Sequence, residues 1–500
     1  MKLIHVFLLI FLFPCCIYCQ NRNAIWCFGD GAGINFSDPL NPSPIISSVN
    51  SRGTCASISD AGGNLKFYCA APDVDAYRNG ILPTGIVYNR FHQKMQNSDS
   101  LVSRGWYHEM VIVPSPGDTN FYYIFHTGVT TIPGLFYSIV DMTLDSGKGA
   151  VVSKNNQLRT EFAVDCIQAV KNVNGRDSWV IFKQDQTPNN KFYLYSVTTN
   201  GVALDHVDSV GLNGDSNGGD LRFNSNGSQF AFCNLKGLLT LYNFDRCTGT
   251  IALNKTIRAE DPNGNYPYFF DCCFSPNDSL LYLSCAPYIS DFDTTHIFLY
   301  QIPLTSFNPY ASKTLIWNQT APNYILGIRL APDNKIYIAS GPGGYPYDSS
   351  NYSVETMHLS VIHEPNRRGG AIACDFRPYS FYLGGKRTYW GLPNNPNYDL
   401  GPVSGSICDS LSVQIDEQFA EKFITLYPNP AYNKVSVKFS SPLKGKVFIK
   451  FLDLRGSLIL QVETNSMDND LDLSKIENGV YFLRVEGSVH YPVQQLVKIN

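Results

Sequence analysis

One short pattern recurs along this chain and constrains its fold more than any other feature: an apolar start, a turn rich in Pro, Asn, Asp and Gly, then an alternating aromatic strand. Its copies are ISDAGGNLKFY at 58–68, VIVPSPGDTNFYYIF at 111–125, VKNVNGRDSWVIF at 170–182, FNSNGSQFAF at 223–232, FSPNDSLLYL at 274–283 and LAPDNKIYI at 330–338. Successive starts lie 53, 59, 53, 51 and 56 residues apart. Each copy reads as a hairpin: the turn residues supply the backbone angles of a tight reversal, and the flanking alternation turns one face inward. A hairpin cannot bury its own apolar face. Repeated about every 50 residues, with chain between for two more strands, it is the sequence form of a β-propeller blade. A parallel β-helix would use a much shorter period, and a helical solenoid a 3.6-residue periodicity that is absent here.

The expected fold is therefore all-β: a β-propeller of about seven blades over 20–400, with six and eight kept open, and a small C-terminal Ig-like β-sandwich. The seventh unit is expected around 371–390. Composition agrees, since 30 Tyr, 31 Phe, 39 Gly and 29 Pro against six Met favour pleated strands and tight turns. A length of 500 residues calls for more than one core. A net charge of -4 lacks the basic footprint of a nucleic-acid binder, so no nucleic-acid partner is expected.

Residues 1–19 read as a secretory signal: Lys2, an apolar run from Leu3 to Phe13, then Pro14 and the end Cys15-Cys16-Ile17-Tyr18-Cys19. The run is too short to span a bilayer, and no later stretch is long and apolar enough for a transmembrane segment. An acylated Cys is the alternative, disfavoured by the bulky Tyr18 and rigid Pro14. Eleven Cys remain after Cys19, an odd number that leaves at least one thiol free or paired between molecules. Export permits disulfides, but spacing does not reveal the pairing. Among these eleven there is no CxxC pair, so no zinc site and no other metal or cofactor is expected.

A ring of sheets needs a closing device, because open ends leave raw edges. The strand-like Ala24-Ile25-Trp26-Cys27-Phe28-Gly29 is expected to complete the last blade beside 372–376; an ordinary first strand of blade one is the alternative. Trp26-Cys27-Phe28-Gly29-Asp30-Gly31-Ala32-Gly33-Ile34-Asn35-Phe36, followed by Ser59-Asp60-Ala61-Gly62-Gly63-Asn64-Leu65-Lys66-Phe67-Tyr68, resembles the opening of a group of secreted propeller proteins of the Bacteroidetes. The likeness runs to Gly391-Leu392-Pro393-Asn394, covering about 22–395. Cys27 departs from it where an aromatic is usual, as does Tyr77-Arg78-Asn79 where a longer Trp-bearing strand stands. The group carries no catalytic signature.

After Leu400 the texture changes. Gly401-Pro402-Val403-Ser404-Gly405-Ser406 opens a linker assigned to 401–422, and 423–500 forms a last module with strands at 434–439, 445–453 and 479–486. Alternation such as Val435-Val437-Phe439 calls for a small sandwich. This module resembles the type A C-terminal sorting domain of the type IX secretion system. The residues that carry the resemblance are Leu426-Tyr427-Pro428-Asn429-Pro430, Asp453-Leu454-Arg455-Gly456, Gly479-Val480-Tyr481-Phe482-Leu483-Arg484-Val485 and Lys498-Ile499-Asn500. The resemblance implies passage across the outer membrane, a partner in the secretion machinery, and a location that is secreted or on the outer-membrane surface. The sorting-signal residues it implies are Tyr427, Pro428, Asn429, Pro430, Gly479 and Lys498. An ordinary terminal Ig-like or carbohydrate-binding module is the alternative.

No catalytic constellation stands out: there is no Gly-x-Ser-x-Gly elbow, no zinc helix and no phosphate loop. His108-Glu109 and His363-Glu364 place acid beside base, but strand neighbours face opposite ways, so both read as surface or blade-edge polar residues. Asp73 and Asp75, and the turn Asp261-Pro262-Asn263-Gly264-Asn265, offer oxygen ligands without the distal Glu of a calcium loop. Candidate contact loops for a glycan or protein ligand carry Tyr345 and Tyr347, and Asp291 and Asp293. The resulting function is an exported protein whose propeller is a non-catalytic binding or surface-interaction module. An extracellular glycan-active hydrolase or lyase and a structural adhesin are the alternatives.

Overall fold

The computed structural model describes residues 21–71, 84–129, 132–185, 188–213, 216, 218–258, 267–286, 296–320, 322–342, 352–409, 424–439, 443, 445–453, 456–487, 491 and 494–500. The signal segment 1–19, Asp73, Asp75, Tyr77-Arg78-Asn79, the 261–265 turn, Asp291, Asp293, Tyr345 and Tyr347 lie outside the described residues. The chain forms two units, Met1–Cys408 and Asp409–Asn500.

Seven antiparallel sheets make up the described part of the first unit. They are blade 1 (25–50, three strands) and six four-stranded sheets: blade 2 (55–102), blade 3 (110–159), blade 4 (168–209), blade 5 (219–258), blade 6 (268–320) and blade 7 (323–382). Each copy of the repeat is the turn between the first two strands of a blade, as between Gly219–Phe223 and Gln229–Asn234. Among the described residues there is little regular structure beyond the sheets: a 3₁₀ turn at Asp145–Gly147 and a helical turn at Val354–Met357.

Apolar clusters lie between consecutive sheets rather than inside them, because a single sheet has no interior. Ile58 and Phe67 of blade 2 meet Ile112 and Ile124 of blade 3, and Ala231 and Leu241 of blade 5 meet Phe269 and Leu283 of blade 6. The ring closes where Trp26 and Phe36 of blade 1 pack edge-on against Tyr337 of blade 7, at centroid distances of 6.1 and 5.4 Å.

Two expectations about closure are corrected. Ile25–Phe28 does not complete the last blade beside 372–376; it pairs with Asp30–Asn35 and is the first strand of its own sheet. No separate blade forms around 371–390: Phe376–Tyr382 is the outer strand of blade 7, and Ile372 is 97% exposed. The physical reason is the run Gly29-Asp30-Gly31-Ala32-Gly33, which has a loop's composition but serves as a strand at close quarters. A Cβ on Gly33 would stand 2.5 Å from the Trp26 carbonyl oxygen.

One disulfide joins Cys247 to Cys408, and the other nine cysteines after the signal segment are free and buried. Burial alone pushes the Cys27 thiol far up, and burial raises Cys69 to about 12, so these thiols behave as small apolar fillers. The start of the segment assigned as linker is docked on the propeller: Arg246 donates to the Gly401 carbonyl at 3.0 Å, and Val403 N–H to the Val173 carbonyl at 2.9 Å.

The second unit packs a three-stranded sheet (Ile424–Tyr427, Lys434–Phe439, Asp468–Asp472) on a four-stranded one (Val447–Leu452, Leu458–Thr464, Gly479–Glu486, Gln494–Lys498). Val435, Val437, Ile449, Phe451, Leu483 and Leu496 fill the space between them.

Gly391 and Gly53 touch backbone to backbone, and a Cβ on Gly391 would fall 2.1 Å from the Gly53 carbonyl oxygen. Gly391→Ala should therefore cost about 1–3 kcal/mol of stability as an overpacked site does. Gly401→Ala, with open space around it, should cost nothing measurable. Urea unfolding of the two variants beside the parent checks this; equal midpoints for all three would contradict it.

Candidate functional site

The first strand of each blade lines the ring's centre, and the residues just before the repeated turns converge there. A carboxylate on one blade accepts a main-chain N–H from the next. Asp165 takes Gly219 N–H at 2.9 Å, Asp220 takes Cys272 N–H at 3.3 Å, and Asp271 takes Ile328 N–H at 3.0 Å. Thr54 serves the same purpose between blades 2 and 3, its hydroxyl oxygen accepting Glu109 N–H at 3.4 Å. These bonds satisfy inner-strand donors that have no further strand to pair with.

Five ionisable side chains from four blades meet at this centre. Arg329 Nη1 donates to Asp271 at 2.7 and 2.8 Å, Arg222 Nη2 lies 2.8 Å from Asp220 Oδ1, and His108 Nε2 lies 3.3 Å from Asp220 and 3.7 Å from Asp271. Arg329 Nη2 sits 2.9 Å from the imidazole nitrogens. Burial, reinforced by the Arg222 charge, depresses His108 to about 3, so the ring is neutral at physiological pH. Burial opposes ionisation of Asp220, but Arg222 and His108 beside it win and hold it below the ordinary carboxylate value. Burial and the Asp220 charge push Asp271 well above that value. The imidazole and carboxylate atoms lie within 4.8 Å of one another, near enough for a divalent cation, yet two guanidinium groups share the space and make it hostile to one.

The reading of His108-Glu109 as surface or blade-edge residues is thus corrected: His108 is 1% exposed and Glu109 wholly buried. Glu109 accepts from the Arg104, Gly105 and Trp106 main-chain N–H groups and the Ser103 hydroxyl, fixing the loop that enters blade 3. His363 is half-buried and Glu364 exposed at the edge of blade 7.

Residues 390–400 run through the ring's centre. At one end Trp390 N–H bonds the Arg52 carbonyl at 2.8 Å, and the Arg52 guanidinium lies over the Trp106 and Trp390 rings at 3.7 and 4.7 Å. In the middle, buried Asn394 uses its whole amide. Its Nδ2 donates to the Met110 and Ile167 carbonyls at 3.0 and 2.9 Å, and its Oδ1 accepts from Gln168 at 3.1 Å and Arg222 at 2.6 Å, joining blades 3, 4 and 5. Further on, Asn395 bonds Ser57 and Asn23, and Asp399 pairs with Arg22 at 3.0 Å.

Where this segment leaves the ring, the repeated turns surround a cavity of about 400 Å³. Amides rim it, including Asn21, Asn23, Asn224, Asn334 and Asn397, with Pro276, Pro332 and Pro396 as rigid faces; Arg222 and Arg329 lie at its inner end. Sequence reasoning missed this site. The available signal was a polar residue just before the turn in apolar strands: Asp220-Leu221-Arg222-Phe223, Asp271-Cys272-Cys273-Phe274 and Ile328-Arg329-Leu330.

In the C-terminal unit the expected sorting residues come together. Asn429 spans the end strand as a main chain would, its Nδ2 donating to the Gln495 carbonyl at 2.7 Å and its Oδ1 accepting Val497 N–H at 2.9 Å. Ala431 continues the pairing through Val497 and Ile499. Gly479 pairs with Lys498, whose side chain is buried, while Tyr427 is 75% exposed and Pro428 and Pro430 are exposed beside it.

Comparisons with known proteins find a family for the C-terminal unit. Residues 425–499 match the family described as the secretion system C-terminal sorting domain. PorZ of Porphyromonas gingivalis, described as an essential bacterial surface component of the type-IX secretion system, is 10% identical, with 96% of this chain and 75% of PorZ covered and a TM-score of 0.28. The Cps50 (Swd1) β-propeller domain of Myceliophteria thermophila is 9% identical, with 65% and 94% covered and a TM-score of 0.36. No curated protein matches the chain. Among the described residues, no helix is long and apolar enough to cross a membrane.

Asn394→Ala should strand the Arg222 guanidinium, the Gln168 amide and two carbonyls at the ring's centre, lowering stability by about 2–4 kcal/mol. Asn397→Ala, at an exposed position, is the comparison. Denaturant unfolding of both measures the difference, and an Asn394→Ala protein as stable as the parent would remove the segment's role in the ring.

Proposed function

We propose, for a chain that ends in a type IX sorting domain and is exported to the cell surface or beyond, that the propeller is a binding module rather than an enzyme. The observation that supports this is the occupied centre of the ring. The imidazole and both carboxylates are shut behind Asn394 and the Arg222 and Arg329 guanidiniums, with His108 at 1% exposure and both aspartates at 0%. A general acid or base must come within hydrogen-bonding reach of its substrate. Their depressed and raised proton affinities follow from burial in a structural ion cluster. What stays open to solvent is the amide-rimmed cavity, a surface suited to hydroxyl and peptide groups.

In the tail, exposed Tyr427, Pro428 and Pro430 lie beside the strand that Asn429 clamps, so the secretion machinery would read the two chain segments as one surface.

A glycan array and a parallel polysaccharide-cleavage assay with the exported protein test the first reading. Ligand retention without turnover is expected; cleavage lost in His108→Gln would overturn it. For the second, deletion of 423–500 should trap the propeller in the periplasm, and Asn429→Ala should lower the surface fraction. Undiminished surface display of the deletion, measured by cell fractionation, would refute the sorting role.

A further inference from the structure

The cavity among the repeated turns has two guanidinium groups at its inner end. Arg222 and Arg329 both line it, are 6% and 5% exposed, and keep N–H groups that meet no acceptor: Nε and Nη2 of Arg222 and Nε of Arg329. Arg222 Nη2 approaches Asp220 Oδ1 to 2.8 Å at an angle that forms no hydrogen bond, so Oδ1 also goes unsatisfied. Each guanidinium carries five donors and a permanent charge. Against the two of them stand two carboxylates, Asp220 at 2.8 Å from Arg222 and Asp271 at 2.7 Å from Arg329. Three guanidinium N–H groups are left without an acceptor in a place shielded from water, where an unpaired donor is costly. Among the described residues, the remaining charged group lining the cavity, Asp399, is tied to Arg22 through Arg22 N–H and Nη1.

We propose that this cavity binds an acidic saccharide, its carboxylate turned to Arg222 and Arg329 and its hydroxyls met by the surrounding amides. The space, about 400 Å³, lies within the range of small-ligand sites of roughly 300–1,000 Å³. Asn, with a donor and an acceptor on one short side chain, suits vicinal hydroxyls, and six Asn line this one cavity. Paired guanidinium donors select a carboxylate over a hydroxyl. The inference rests on the binding-module reading above and specifies its ligand.

The test is calorimetric titration of the full exported chain with methyl glucuronide and with methyl glucoside, which differ only in the carboxylate. The glucuronide should bind at least about tenfold more tightly, the worth of one charge-assisted contact. Arg222→Gln should erase that preference. Asn397→Trp, which fills the mouth without touching the arginines, should abolish both affinities, and it decides the matter if Arg222→Gln fails to fold. Equal binding of the two sugars, binding of neither, or a preference that survives Asn397→Trp would overturn the proposal. If the glycan array finds a ligand indifferent to Asn397→Trp, the binding-module reading stands and this site falls; if the array is blank, both fall.

Discussion

A β-sheet with two apolar faces is stable only when both are covered, and no sheet in this propeller can cover itself. Each face is sealed by the next sheet round the ring, so the buried clusters run between blades, such as Val170, Ile181 and Phe192 of blade 4 with Leu221 and Phe230 of blade 5. The arrangement is complete only when the first sheet meets the last. That junction is built on aromatic side chains, Trp26 and Phe36 from the N-terminal sheet against Tyr337, with Leu359 and Leu383 in the same cluster. Because blade 1 is a sheet in its own right, the ring closes by side-chain packing and by the short contact of Asp30 with Arg387, whose guanidinium reaches the carboxylate at 3.1 Å.

The centre of the ring poses the opposite problem. Inner strands present main-chain groups with no further strand to pair with, in a space too narrow for bulk water. The chain meets this with polar side chains aimed inward and with a piece of itself, 390–400, whose Asn394 satisfies carbonyls and donors from three blades at once. The same segment then leaves along blades 4 and 5, where the Cys247–Cys408 bond fastens it to the ring before the tail begins. Placing ionisable groups at such a centre shifts their proton affinities strongly, and here the shifts accompany a structural role. Perturbed groups are a weak sign of catalysis when a folded-in segment stands between them and solvent.

The repeat was legible because turn chemistry is local: Pro, Asn, Asp and Gly at a fixed place in each copy marked six blades. Blade 1 was not, since its second strand is built from glycines that let Trp26 and Ile45 approach closely, and glycine carries no strand signature. The convergence of His108, Arg222 and Arg329 was also invisible, because residues 221 positions apart meet only through closure of the ring. The tail was the clearest stretch, for Asn429 and Lys498 sit in short motifs whose spacing is fixed by a single small sandwich.

The central claim is a closed ring with residues 390–400 folded through it. Hydrogen–deuterium exchange of the exported protein addresses it directly at Trp390 N–H and Asn394 N–H, which are bonded to the Arg52 and Cys55 carbonyls. These amides should exchange as slowly as Cys272 N–H in the inner strand of blade 6. Exchange at the rate of an unstructured peptide, with the strands around them still protected, would contradict it.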